Sequence, residues 1–137
     1  MIVDTSALIA IASGEPEWER LRHAINSNDA FIPAPALTEF HLLINGKNPS
    51  LNAIGTELIA TMLADGVQVV AFTQLHAEIT TTARERYGKG NGNGGLLNFG
   101  DLMVYAVAKD RNEPLLFTGR DFASTDLQLH PASRLEP

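Results

Sequence analysis

Four carboxylates stand where a fold could bring them together. Asp4 directly follows the apolar pair Ile2 and Val3, and Asp121 in LLFTGRDF follows the apolar run Leu115 to Phe117. Asp101 in NFGDLMVYAVAK opens a segment so apolar that most of it must be buried, and Glu39 lies in PALTEFHLLI. Each has a structural reading beside a chemical one. Asp4 serves equally as a helix cap. Glu39 can be a solvated acid on the face opposite Leu37, Phe40, Leu43 and Ile44, and Asp101 gains from a helix N-terminus. Asp121 can belong to simple turn chemistry with Thr118 and Gly119, and Asp126 in STDL is a weaker version of the same idea. Gly100 beside Asp101 leaves room for a ligand or metal to approach. If the acids converge they repel one another, a cost that a hard divalent cation offsets. Oxygen-only ligands suit magnesium or manganese.

The elements needed to position these groups follow from the pattern of apolar runs. Short strands are expected at Ile2 to Val3, Ala30 to Ile32, Val67 to Phe72, Leu115 to Phe117 and Leu127 to Leu129. Helices are expected over the stretch from Ala7 to Ala12, over Glu17 to Ile25 with Trp18 packing beside Leu21 and Ile25, and over Pro35 to Asn45. Further helices are read at Ser50 to Ala64, from a Thr73 cap to Tyr87, and from an Asn98 cap through Phe99 to Lys109. Such alternation implies an α/β sandwich with a short-stranded, mainly parallel central sheet flanked by helices. Functional groups then gather at the carboxyl ends of the strands. GKGNGNGG, from Gly88 to Gly95, reads as an exposed mobile loop. It is no phosphate-binding P-loop, because Lys89 precedes most of its glycines and no Gly-Lys-Ser/Thr opens the next helix.

Composition removes other classes. A chain of 137 residues favours one domain over 1–137. With no cysteine there is no disulfide framework, thiolate nucleophile or Cys-based zinc site, and a reducing compartment is the natural setting. The N-terminus lacks the basic start of a secretory signal and no apolar run reaches membrane-spanning length, so a cytoplasmic protein with no membrane partner is expected. The net charge of −6 excludes broad nonspecific coating of nucleic acid, but not an enzyme that meets phosphate through metal ions. His23, His41, His76 and His130 are too scattered for a metal set and read as structural or surface residues.

IVDTSAL, the helical Glu39, NFGDLMVYAVAK and LLFTGRDFASTDL together resemble the PIN-domain ribonucleases, specifically the VapC-type toxins of toxin-antitoxin pairs, over most of the chain. The resemblance implies a three-layer PIN-like sandwich and Mg²⁺-dependent hydrolysis of RNA, with Mn²⁺ as the alternative ion. It implies an acidic cluster of Asp4, Glu39, Asp101 and Asp121, with Asp4 and Asp101 as direct metal ligands and Ser6 and Thr118 as hydrogen-bonding support. Arg120 stands where many relatives carry an acid or amide, which bears on the fourth acid. Arg84, Arg86 and Lys89, with the glycine loop, are candidate RNA contacts against the reading of a solvated helix end. A VapB-like antitoxin and assembly as a homodimer or toxin-antitoxin hetero-oligomer are implied as well. Two other functions compete: a noncatalytic α/β binding module, and a phosphotransferase with Asp4 as nucleophile, for which Ser6 stands where a second Asp is wanted.

Overall fold

The structure, a computed structural model, describes residues 1–46 and 49–136. Strands β1 (Ile2–Val3), β2 (Phe31–Pro33), β3 (Gln68–Val70) and β4 (Leu115–Leu116) alternate with helices α1 (Thr5–Ala12), α2 (Trp18–Asn26), α3 (Ala34–Asn45), α4 (Pro49–Ala64), α5 (Gln74–Tyr87) and α6 (Phe99–Arg111). A second pair, β5 (Thr118–Gly119) and β6 (Arg134–Leu135), follows. The main sheet is parallel throughout in the order β3-β2-β1-β4, with Ile2 opposite both Phe31 and Leu115. Strands covered on both faces must be apolar in both directions, and Ile2, Val3, Leu115 and Leu116 are completely buried. Edge strand β3 exposes Gln68 and Val69.

The order of the strands fixes where a crevice opens. The crossovers through α1–α2 and α3–α4 step outward from β1 to β3, whereas α5–α6 returns the chain across the sheet to β4. Right-handed crossovers put those two sets of helices on opposite faces. Winding therefore reverses at β1, and the chain ends beyond β1 and β4 splay to leave a cleft. Asp4 is the first residue past β1.

Packing of α4 sets the rotation of α3. A Cβ at Gly55 would lie 2.7 Å from Ile44 Cδ1 and 3.1 Å from Phe40 Cζ, so α4 approaches α3 as closely as glycine allows. Phe40 and Ile44 are thus buried completely, whereas Leu43, expected to face the core, is 42% exposed on the face it shares with Glu39. Trp18 departs from expectation too. Leu21, Ala24 and Ile25 form the buried stripe of α2, and Trp18 sits at its first turn, 37% exposed.

The strand expected at Leu127 to Leu129 contracts to one bridge between Leu129 and Leu115. His130 N–H still donates to Leu115 O, but Pro131 has no N–H with which to extend the ladder. The chain instead continues into β6. Ser133 Oγ donates to Leu115 O and accepts from Phe117 N–H, Arg134 N–H donates to Phe117 O, and Glu136 N–H donates to Gly119 O.

Expected caps are in place. Thr73 and His76 cap α5 reciprocally, and the buried His76 bonds Asp110 at 2.8 Å, a structural role that ties the start of α5 to the end of α6. The glycine loop has more internal order than its composition suggests. Asn91 donates to Glu85 O and accepts from the N–H groups of Asn93 and Gly95, while Gly90, Gly92 and Gly94 take positive φ. Among the described residues, no helix is long and apolar enough to cross a membrane.

Candidate active site

Asp4, Glu39, Asp101 and Asp121 arrive from four separate parts of the chain and line one cleft of about 220 Å³, together with Ser6 and Thr118. Asp4 is the helix cap read from the sequence and also lines the cleft. Its N–H donates to Leu116 O, continuing the sheet, while Oδ2 accepts from Ser6 N–H at 3.0 Å and caps α1. The Ser6 hydroxyl donates to the same Oδ2 at 2.5 Å and accepts from Thr118 N–H at 3.0 Å, while Thr118 Oγ1 donates to Ser6 O. The start of α1 is thereby laced to β5, and Thr5 Oγ1 laces it to α3 through Ala36 O.

Asp101 is likewise both cap and cleft residue. Its N–H donates to Asn98 Oδ1 and its Oδ2 accepts from Asn98 N–H, a reciprocal cap at the start of α6. The preceding Gly100 makes room for a neighbouring acid rather than for an incoming ligand. A Cβ there would sit 2.7 Å from Glu39 Oε2, so the Glu39 carboxylate takes its present place beside α6 in the space that the missing side chain leaves. Asp121 occupies the exposed turn after β5.

The acids strain one another electrostatically. Burial, chiefly, with the charge of Glu39 pushes Asp4 up to about 6 against the hydrogen bonds from Ser6. Asp101 is pushed up to about 7, first by burial and then by the charge of Asp4, with Asp121 and Glu39 adding to it. A divalent cation removes this penalty. Among the described residues, no three His, Asp or Glu side chains close into a finished coordination set. The carboxylates line an open cleft, which suits a cation that keeps most of its own waters. Purely oxygen donors and an uncompensated cluster of negative charge fit Mg²⁺ or Mn²⁺.

Other sequence candidates separate. Asp126 stands outside this cleft, bonded to Tyr105 Oη and Lys109 Nζ, each at 2.7 Å. Partial burial works to raise its pKa, but those hydrogen bonds and the nearby cations outweigh it and hold Asp126 below the usual carboxylate range. Arg84 borders a mainly apolar groove between α5 and α6, and Lys89 is exposed on the loop. Arg86 alone of the three faces a cavity that adjoins the acids. Arg120 is exposed beside Asp121 and stands outside the residues that line the cleft. Ile9, Leu43 and Phe122 form apolar walls that sequence reading missed. Their signal was helical spacing: Leu43 is four residues after Glu39, and Ile9 four after Thr5.

Comparison with known proteins gives the family and the fold. The PIN domain family matches residues 1–127. Ribonuclease VapC42 of Mycobacterium tuberculosis is 37% identical over 131 residues, covering 93% of this chain and 97% of that protein. Among solved structures, VapC20 of M. tuberculosis, described as a sarcin-ricin loop cleaving toxin, superposes with a TM-score of 0.69 at 18% identity, covering 92% of this chain and 95% of that one. VapBC2 from Rickettsia felis, bound to a DNA fragment from its promoter, gives 0.70 at 14% identity over 98% and 96%. These two structures share the fold: a mainly parallel sheet flanked by helices. The chain belongs to the PIN-domain family and stands among its VapC members.

Proposed function

We propose that this chain is a metal-dependent endoribonuclease of the VapC type, a toxin that hydrolyses RNA phosphodiester bonds and acts as a single domain spanning 1–137. The observation that carries the proposal is the meeting of four carboxylates from separate elements in one cleft at the point where the winding of the sheet reverses. The strong likeness to ribonuclease VapC42 along nearly its whole length supports it. Asp4 and Asp101 would hold Mg²⁺ or Mn²⁺, and Glu39 and Asp121 complete the acidic cluster. When bound, that cation lowers the pKa of water and offsets the charge developing on the phosphate. The carboxylates orient the attacking water and accept its proton, while Ser6 and Thr118 fix the angle of Asp4. Water adds to phosphorus, one P–O ester bond breaks, and the leaving sugar oxygen gains a proton, so no bond to the protein forms. Asp4 as a phosphotransferase nucleophile fits less well, because Ser6 stands where a second acid is wanted and two Ser6 bonds tie up Oδ2.

A VapB-like antitoxin is the proposed partner, in a hetero-oligomer or over a toxin homodimer, and an acidic cleft attracts a basic partner segment. The VapBC2 structure holds such a pair. The absence of cysteine suits a cytoplasmic setting.

Incubating purified protein with end-labelled RNA tests the reaction. Cleavage is expected with Mg²⁺ or Mn²⁺, none with chelator, and recovery when excess metal is returned; cleavage indifferent to chelator defeats the proposal. Gly100→Ala gives a finer check. Its Cβ must displace Glu39, so cleavage is expected to fall about tenfold while the fold, helped by the better helix former, changes by less than about 1 kcal/mol. Glu39→Gln is the companion variant, and unchanged cleavage by it removes Glu39 from the reacting set.

A further inference from the structure

A second, polar cleft of about 200 Å³ lies between the end of α5, the glycine loop and the turn after β5. Asp121 lines both clefts, so a chain held in one continues naturally into the other. Arg86 forms one wall. Its guanidinium lies 4.9 Å above the Tyr87 ring and 3.7 Å from Asp126, which holds it in position. Asp126 is already bonded to Lys109, so its one carboxylate is shared between two cations, and Asp121 is the one acid that lines this cleft.

The opposite wall has unspent hydrogen-bonding groups. Among the described residues, the N–H groups of Gly94 and Leu96 and the side chains of Asn93 and Ser124 have no protein partner. Three hydrogen bonds through the Asn91 side chain hold the loop in shape, so little ordering entropy remains to be lost on binding.

We propose that this cleft is the subsite for the nucleotide next to the scissile bond. Arg86 and the loop N–H groups take its phosphate, while Asn93 and Ser124 meet its sugar or base edge. The inference rests on the ribonuclease reading and assigns the strand its path past Asp121. The volume admits part of one splayed nucleotide, which favours an unpaired stretch of RNA.

The test compares wild type, Arg86→Gln, Ser124→Tyr, which fills the cleft, and the remote control Arg20→Gln. The probe is a fluorescein-labelled single-stranded oligoribonucleotide of mixed sequence, followed by anisotropy and by Mg²⁺-dependent cleavage. Arg86→Gln and Ser124→Tyr are expected to weaken binding and raise KM about tenfold, with kcat changed less than about twofold. Arg86→Gln alone also lowers the slope of log affinity against log salt by about 0.7, one phosphate contact on a single strand. Arg20→Gln should change neither. If both cleft variants bind and cleave as wild type does, the subsite is wrong while the nuclease stands. If wild type binds but never cleaves, the nuclease reading falls and the subsite, which is defined by the scissile bond, falls with it, even where the cleft variants weaken binding. Wild type that neither binds nor cleaves overturns both.

Discussion

Asp101→Asn is expected to abolish RNA cleavage while making the metal-free protein harder to unfold at neutral pH. Both effects come from one feature. Burial and three neighbouring acids push the Asp101 carboxyl up to about 7, so ionising it works against the fold. Asparagine keeps a side-chain oxygen for the Asn98 N–H and loses the charge. The relief should be worth about 1–2 kcal/mol after allowance for solvent reaching the cleft. At the same time cleavage should fall roughly 10²- to 10⁴-fold, the scale set by losing a group that binds the ion or moves the proton. Thermal unfolding in chelator and turnover of labelled RNA in Mg²⁺ give the two readings. A variant that melts lower than wild type, or cleaves as well, contradicts the electrostatic account of the site.

The second large effect is a pH dependence that metal reverses. Asp4 and Asp101 have folded pKa values raised from 3.8 to about 6 and about 7. Between the unfolded and folded values the native state binds more protons than the unfolded chain, so stability falls as pH rises. For Asp4 alone, the shift from 3.8 to about 6 corresponds to about 3 kcal/mol, present at low pH and lost as pH passes the folded value. Urea unfolding of metal-free protein from about pH 5 to about pH 8 should show this decline. Saturating Mg²⁺ should cancel it, because the ion binds the ionised carboxylates of the folded state alone. The Asp4→Asn/Asp101→Asn double variant should lack both the decline and the response to Mg²⁺. Comparing it with wild type separates these acids from His130, whose pKa burial lowers, and from Glu113 and Asp126, which titrate further down. A metal-free wild type whose stability is flat or rises over this range would falsify the repulsion argument.

What the sequence made legible was governed by distance along the chain. Asp4 after an apolar pair, Asp101 three residues past a capping Asn98, and Thr73 at the head of α5 rest on contacts within a few residues, and each is found as expected. The parallel sheet followed from the alternation of apolar runs. The side of α3 that bears Leu43 did not, because Gly55 of α4 settles it from outside the helix. Asp121 and Asp126 look alike as residues of one turn-rich segment. Tyr105 and Lys109 on α6 separate them, claiming Asp126 and leaving Asp121 to the cleft. The strand at Leu127 to Leu129 failed at a proline visible in the sequence, whereas β5–β6 depends on a register between residues 16 apart that local pattern does not specify.

The clasp that residues 133–136 form over Leu115, Phe117 and Gly119 supports the cleft from outside it. Thr118 is tied to Asp4 through Ser6 on one side, and on the other the strand that carries it toward Asp121 is braced by Arg134 and Glu136. Loosening residues 133–136 therefore disturbs the cleft without touching any residue that lines it.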